Sequence, residues 1–185
     1  IYKGKYKGLY CVGCEAYKTE SEIVDGKCTL HPTKDLQEVT EENYFFRWSK
    51  YATFLKEHIE KHPEFVQPKE RQHEMLAFLE QGIKDITVSR QKDKVSWGIP
   101  VPDDPDQVIY VWFDALINYI SGAPTFWPAD VHILGKDNAR WHILLWPAML
   151  KSAGYELPKT VYVHSFFSIN GQKISKSLGN VIRPT

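Results

Sequence analysis

The chain has 185 residues, 43% of them hydrophobic, which is enough for one sizeable core or one core plus a small appendage. Lysine plus arginine equals aspartate plus glutamate at 23 each, so bulk electrostatic capture of nucleic acid is not indicated and an RNA contact would need a local patch. No apolar run approaches a membrane span, and Ile1 to Gly4 do not have the form of a signal peptide, so the expectation is a cytoplasmic protein with no membrane partner.

Three cysteines, an odd number, argue against a closed disulfide framework. Cys11 and Cys14 form one tight pair, and Cys28 and His31 a second after a spacer, in the pattern C-x2-C-x13-C-x2-H. Two turns of that kind can close a tetrahedral Cys3His zinc site. Four protein ligands leave no position for a water, so the expected metal is one structural Zn2+. The segment has few large apolar residues of its own and would depend on the metal to fold. The competing reading is a chance scatter of thiols in a reducing compartment. Zinc knuckles also serve as nucleic-acid modules, and Lys3, Lys5, Lys7, Lys18 and Lys27 surround this one, offset by Glu15, Glu20, Glu22 and Asp25.

Thr40 to Asn43 read as a helix start, with the period continuing through Tyr44, Phe45, Trp48, Tyr51, Leu55 and Ile59 until His62 and Pro63. A second helix is expected from near Pro68 to near Gly82, with Met75, Leu76, Phe78 and Leu79 inside. His58, His62 and His73 fit solvated helix faces better than a second metal site. Asp85 to Arg90 read as a short strand, and Trp97 to Pro102 as an extended Pro-rich piece that cannot be a central strand. Val108 to Phe113 is an unbroken apolar run of the kind buried on both faces of a parallel sheet, with Asp114 as the N-cap of a following helix.

Val131 to Leu134 reads as another buried strand, running into Gly135, Lys136 and Asp137. An apolar helix from about Asn138 to Ser152 follows, bent by Pro147, and then a strand from Thr160 to His164. Strand, helix, strand, loop is the grammar of a doubly wound α/β sheet, whose ligands sit beyond the carboxyl ends of the strands. Trp112, Asp114, Gly135 and Asp137 all fall at or after such ends. The local alternatives are plain: Trp112 and Trp141 as core, His142 as a hydrogen-bonded structural histidine, Asp137 as a helix cap. The tract from His132 to Gly135 is not a His-Ile-Gly-His motif, since no second histidine follows.

The last segment is Lys173, Ile174, Ser175, Lys176 and Ser177 on a loop rich in glycine and serine. Alone, two lysines three apart suit a solvated basic turn. On a mobile loop they also make a cationic clamp for a polyphosphate, able to stabilise charge growing on a leaving pyrophosphate. The pentapeptide resembles the Lys-Met-Ser-Lys-Ser signature of class I aminoacyl-tRNA synthetases, with Ile174 in place of methionine. With the zinc pairs, Tyr44 to Arg47, Ser89-Arg90, Trp97 to Pro100, Tyr110 to Ala115, Gly135 to Asp137 and Trp146 to Ala148, it is similar, in order and over nearly the whole chain, to the methionyl-tRNA synthetase family.

That resemblance implies an α/β fold: the C-terminal half of a Rossmann-like parallel sheet with a small zinc-binding insertion, the connective peptide. It implies residues 1–40 as the zinc segment and 41–185 as the remaining connective helices and half of the catalytic fold. It implies activation of methionine with Mg2+ and ATP to methionyl-adenylate and transfer to tRNA(Met). Lys173, Ser175, Lys176, Ser177, Gly135 and Asp137 would lie at ATP, with Lys173 and Lys176 the catalytic pair. Trp112, Ala115, Tyr119 and His142 would shape the methionine pocket, Arg90 would approach the carboxylate, and Cys11, Cys14, Cys28 and His31 would hold zinc. Leu116 and Asn138 depart from residues found in some members. The N-terminal half with its His-Ile-Gly-His signature and the C-terminal anticodon-binding domain are absent, so the expectation is an excerpt that does not aminoacylate alone. The alternatives are a non-catalytic, zinc-anchored tRNA- or protein-binding module, another class I synthetase, or a different nucleotidyl transferase.

Overall fold

The computed structural model describes residues 1–11, 16–18, 23–29, 31–95, 97–169 and 171–174. Contacts divide the chain into two units, Ile1–Arg47 with Asp85–Ala115, and Trp48–Lys84 with Leu116–Thr185.

The chain enters the first unit with β1 (Tyr2–Cys11), β2 (Ala16–Lys18), β3 (Ile23–Val24), β4 (Lys27–Cys28), β5 (His31–Asp35) and β6 (Gln37–Phe46). It then supplies the second with a 3-10 turn at Trp48–Tyr51, α1 (Ala52–Lys61), β7 (Val66–Gln67) and α2 (Lys69–Glu80). It returns to the first through β8 (Ile86–Thr87), β9 (Ser89–Gln91), β10 (Pro100–Val101), β11 (Asp104–Ile109) and α3 (Val111–Ala115). It closes in the second with α4 (Asn118–Ser121), β12 (Val131–Gly135), α5 (Trp146–Ala153), β13 (Thr160–His164), β14 (Ser168–Ile169) and β15 (Gln172–Lys173).

The first unit is antiparallel. Its longest pairing sets β1 against β6 from Tyr2 opposite Phe45 to Tyr10 opposite Gln37. This corrects the helix start expected at Thr40: residues 40–46 are strand, and helical structure begins only at the turn Trp48–Tyr51. The continuous ladder with β1, from Tyr2 to Tyr10, outweighs the weak local preference of Thr-Glu-Glu-Asn for a helix N-terminus. The short strand expected over Asp85 to Arg90 is two strands, because the chain changes partner at Val88: β8 pairs with β6 and β9 with β11. Ser89 joins the two sheets, its hydroxyl accepting from the Tyr44 N–H at 2.8 Å and donating to Gln107 at 2.7 Å. Pro100 lies on the edge strand β10, where a missing N–H is tolerated.

The apolar run Val108 to Phe113 is not one buried strand. β11 ends at Ile109, the Phe113 N–H turns back to the Tyr110 carbonyl, and Val111 is 57% exposed. A continuous apolar run carries no period that separates strand from helix, and here it is shared between them. Asp114 therefore lies inside α3 rather than capping it.

The second unit is built on a parallel sheet in the order β12, β13, β7. The crossover from β12 to β13 is helical over residues 136–153, and it ends where the expected glycine, Gly154, takes a left-handed conformation at φ 77°. A π-helical turn at Trp141–Leu145 precedes Pro147, whose ring cannot donate back to the preceding turn. His142 through Leu150 are buried throughout, and with Val161, Val163, Leu134, Leu55, Ile59 and Met75 they form the core. The expectation of a strand buried on both faces at Val131 to Leu134 is corrected: His132 and Leu134 face inward, while Val131 and Ile133 lie on an open face, Ile133 at 73% exposure.

Candidate functional site

β12 and β13 run parallel in register, so Gly135 and His164 are direct partners at their carboxyl ends. Both strands stop at the same level, and the chain after each turns aside. A cavity of about 290 Å³ opens there, lined by Gly135, Asp137, His164, Phe166, Phe167 and Ile174. The parallel-sheet rule places ligands at such a position. Gly135 is required for close approach, since a Cβ on it would sit 2.9 Å from the Asp137 Oδ1. Asp137 lies within the 3-10 turn Lys136–Asn138 and makes no capping bond, so the helix-cap reading does not apply.

The opposite wall is aromatic. The His164 ring meets Phe167 at 5.0 Å, and its Nδ1 lies 2.7 Å from the Ser165 carbonyl, which only accepts, so Nδ1 carries the hydrogen. Lys136 Nζ sits 4.6 Å above the Phe166 ring. β14 and β15 form a hairpin with Ser168 opposite Lys173, turned at Gly171 with φ 77°. The Ile174 N–H then bonds to the Phe167 carbonyl at 2.9 Å. The lysine segment is thus tied to the cavity through Ile174. Ser175, Lys176 and Ser177 lie outside the described residues.

A second constellation surrounds Tyr119. Its hydroxyl is 2.8 Å from His142 Nε2, and His142 Nδ1 is 3.0 Å from the Asn138 carbonyl. The carbonyl fixes the tautomer: Nδ1 donates, so neutral Nε2 accepts from the Tyr119 hydroxyl. Burial holds the His142 imidazole below its usual range, although the bond to Asn138 opposes the shift, and burial raises the Tyr119 phenol. Both groups are neutral at physiological pH. Because Asn138 acts through its main chain, this bond does not depend on the identity of its side chain. His132, Trp127 and Trp146 complete the cluster, with Trp127 and Trp146 edge-to-face at 5.7 Å.

In the first unit, Arg90 projects from β9 and is held on three sides. Its Nη1 donates to Thr87 Oγ1 at 2.6 Å and to the Ser89 carbonyl at 2.7 Å, and the guanidinium lies 4.2 Å over Tyr110. Trp112 and Ala115 are half-buried on α3. The five residues expected at a methionine pocket thus divide, with Arg90, Trp112 and Ala115 in the first unit and Tyr119 and His142 hydrogen-bonded in the second.

Of the expected zinc ligands, Cys11 ends β1 and is fully buried. Cys28 is fully buried in β4 and stands opposite His31 in the β4–β5 hairpin. β5 packs against β1, the strand that carries Cys11. Cys14 and the His31 side chain lie outside the described residues, and among the described residues no three potential ligands group together. Two buried thiols on adjoining hairpins, one opposite a histidine, fit a soft-ligand metal.

Sequence reasoning passed over His132, His164, Phe166 and Phe167. The last three stand at or just after the carboxyl end of β13, so the strand-end rule that selected Gly135 and Asp137 would have selected them too. His132 was legible only through the inward phase of β12.

A family profile described as tRNA synthetases class I (M) matches residues 1–185. The chain is 50% identical to the methionine–tRNA ligase of Thermotoga maritima, covering all of this chain and 31% of that protein. It is 46% identical to the chloroplastic/mitochondrial methionine–tRNA ligase of Arabidopsis thaliana, covering 32% of it. Among solved structures it aligns with Mycobacterium tuberculosis methionyl-tRNA synthetase in complex with methionyl-adenylate at TM-score 0.82 and 40% identity, over 99% of this chain and 38% of that one. The chain spans about a third of the length of the curated relatives it matches. With a profile match over its whole length, mixed α/β structure and a parallel sheet, the chain belongs to the class I (M) tRNA synthetases.

Proposed function

We propose that the chain is part of a methionyl-tRNA synthetase that activates methionine with ATP and passes it to tRNA(Met). The observation that carries this reading is the cavity at the carboxyl ends of β12 and β13, where Gly135 and Asp137 meet Ile174 of the lysine segment. On this reading the nucleotide lies at Gly135 and Asp137, with Lys173, Ser175, Lys176 and Ser177 at the phosphates. The methionine carboxylate attacks the α-phosphorus and pyrophosphate departs. Little covalent help is needed from the protein: the rate comes from positioning and from the charge that Lys173 and Lys176 offer to the leaving group. Mg2+ enters with ATP.

Tyr119, His142, Trp112 and Ala115 are assigned to the methionine side chain and Arg90 to its carboxylate. Neutral aromatic surroundings suit a polarisable thioether. Cys11, Cys14, Cys28 and His31 would hold one structural zinc in residues 1–40, and that metal would supply folding energy to the short hairpins. ATP, methionine and tRNA(Met) are the proposed partners, and the cytoplasm is the proposed setting.

The test is amino-acid-dependent ATP–pyrophosphate exchange by the full-length protein containing this sequence. Methionine alone should support exchange, and Lys173→Ala or Lys176→Ala should lower kcat by about a hundredfold or more. Exchange with a different amino acid, or none from a folded protein, would overturn the assignment.

A further inference from the structure

Arg90 and Thr87 are bonded to each other although their spacing in the chain does not favour it. In an unbroken strand, residues three apart point to opposite faces. Here the strand is broken: Thr87 belongs to β8, opposite Phe45 on β6, and Arg90 to β9, opposite Val108 on β11. The change of partner at Val88 brings the Arg90 guanidinium to the Thr87 hydroxyl, which accepts from Nη1 at 2.6 Å. A valine at 87 would suit a half-buried strand position equally well, since both side chains are β-branched. What the hydroxyl adds is the bond to Arg90.

That bond decides which edge of the guanidinium is left open. A guanidinium carries five N–H donors in one plane, two on each terminal nitrogen and one on Nε. The two hydrogens of Nη1 meet two acceptors, Thr87 Oγ1 and the Ser89 carbonyl, the latter at 2.7 Å. Tyr110 supports the group from a third side, with Arg90 Cζ 4.2 Å over its ring. The Nε–Nη2 edge remains, and among the described residues no hydrogen bond or ion pair occupies it. Two parallel N–H groups on one edge are the arrangement that takes a carboxylate in bidentate fashion.

We infer that Thr87 is a positioning residue for Arg90: by occupying Nη1 it keeps the Nε–Nη2 edge turned to the carboxylate of the amino-acid substrate. The inference rests on the assignment of Arg90 to the methionine carboxylate and deepens it, naming the edge that binds and the residue that sets it. With valine at 87, one Nη1 hydrogen loses its acceptor in a half-buried site. The guanidinium then rotates to satisfy Nη1 elsewhere, and the open edge is no longer held for the ligand. The loss falls on ligands that carry a carboxylate and spares those that do not.

The test compares two ligands on the full-length protein by calorimetry: methionine, and methioninol, in which a hydroxymethyl group replaces the carboxylate. Thr87→Val should weaken methionine about tenfold and methioninol by less than about twofold. Thr87→Ala, which also lacks the acceptor, should show the same pattern. Thr87→Ser keeps the oxygen and should bind both ligands within about threefold of wild type. Arg90→Gln probes the underlying assignment and should weaken methionine about a hundredfold with methioninol little changed. A merely structural role for Thr87 would weaken the two ligands by one common factor. A common factor, or unchanged methionine binding in folded Thr87→Val and Thr87→Ala, overturns the inference and leaves Arg90 at the carboxylate. An Arg90→Gln that does not separate the two ligands removes the carboxylate assignment, and the role of Thr87 with it. A wild type that binds no methionine overturns both together with the choice of substrate.

Discussion

At the residue scale, Gly135 shows how a missing side chain places a present one. The Asp137 carboxylate occupies the space that a Cβ at 135 would claim, 2.9 Å away, and Gly135 itself has ordinary extended dihedrals of φ −74° and ψ 153°. The need for glycine is therefore one of proximity, not of backbone conformation. Asp137 is the end of a side chain on a single 3-10 turn, so it can swing away. Gly135→Ala should consequently displace the carboxylate from the cavity while costing less than about 1 kcal/mol of stability. The expected result is an unchanged thermal midpoint with an ATP KM raised about tenfold in pyrophosphate exchange. An unaltered ATP KM would remove Gly135 and Asp137 from the nucleotide.

At the element scale, the β12–helix–β13 unit was legible because each part carries its own signal: two short apolar strands, a long apolar helix between them, and Gly154 at its end. The orientation of the sheet was not. Val131 and Ile133 are as apolar as Val161 and Val163, yet the first pair is exposed and the second buried, and hydrophobicity alone does not record which face meets a core. The helix expected at Thr40 failed for a related reason, since pairing with β1, thirty-odd residues upstream, decided a segment whose local preferences were weak. The Cys and His spacing was readable at once, while the hairpins bearing it are too short to have been foreseen as strands. Strands of two to five residues bury little, so β3, β4 and β5 should depend on the metal that Cys11, Cys14, Cys28 and His31 are proposed to hold. Chelation of zinc should speed amide exchange in residues 23–35 by about a hundredfold or more and leave that of α1, α2 and the crossover helix unchanged. Exchange indifferent to chelation would show that these hairpins stand without metal.

At the scale of the whole molecule, three buried or half-buried histidines make folding sensitive to acid. His132 is held down to about 4 by burial and the neighbouring His142, His142 is lowered by burial, and His58 is lowered by burial and then by His62. His58 Nε2 is also buried without a partner, between the rings of Phe65 and His62 at 4.6 Å each. The sign follows from the depressed values. The unfolded chain takes up these protons near pH 6.5 and the folded chain only at lower pH, so acid favours the unfolded state. The stability at stake is fully present above pH 6.5 and is lost as pH falls toward 4. For His132 the gap between its two midpoints amounts to about 3 kcal/mol, at about 1.4 kcal/mol for each pH unit. Urea unfolding should therefore show near-constant stability between pH 7 and 8 and a steep decline between 6.5 and 4. His132→Phe should lose about 3 kcal/mol less than wild type over that decline, because phenylalanine takes up no proton in either state. Equal acid losses in the two proteins would mean that His132 is protonated as readily in the fold as outside it, and would place the acid sensitivity on other groups.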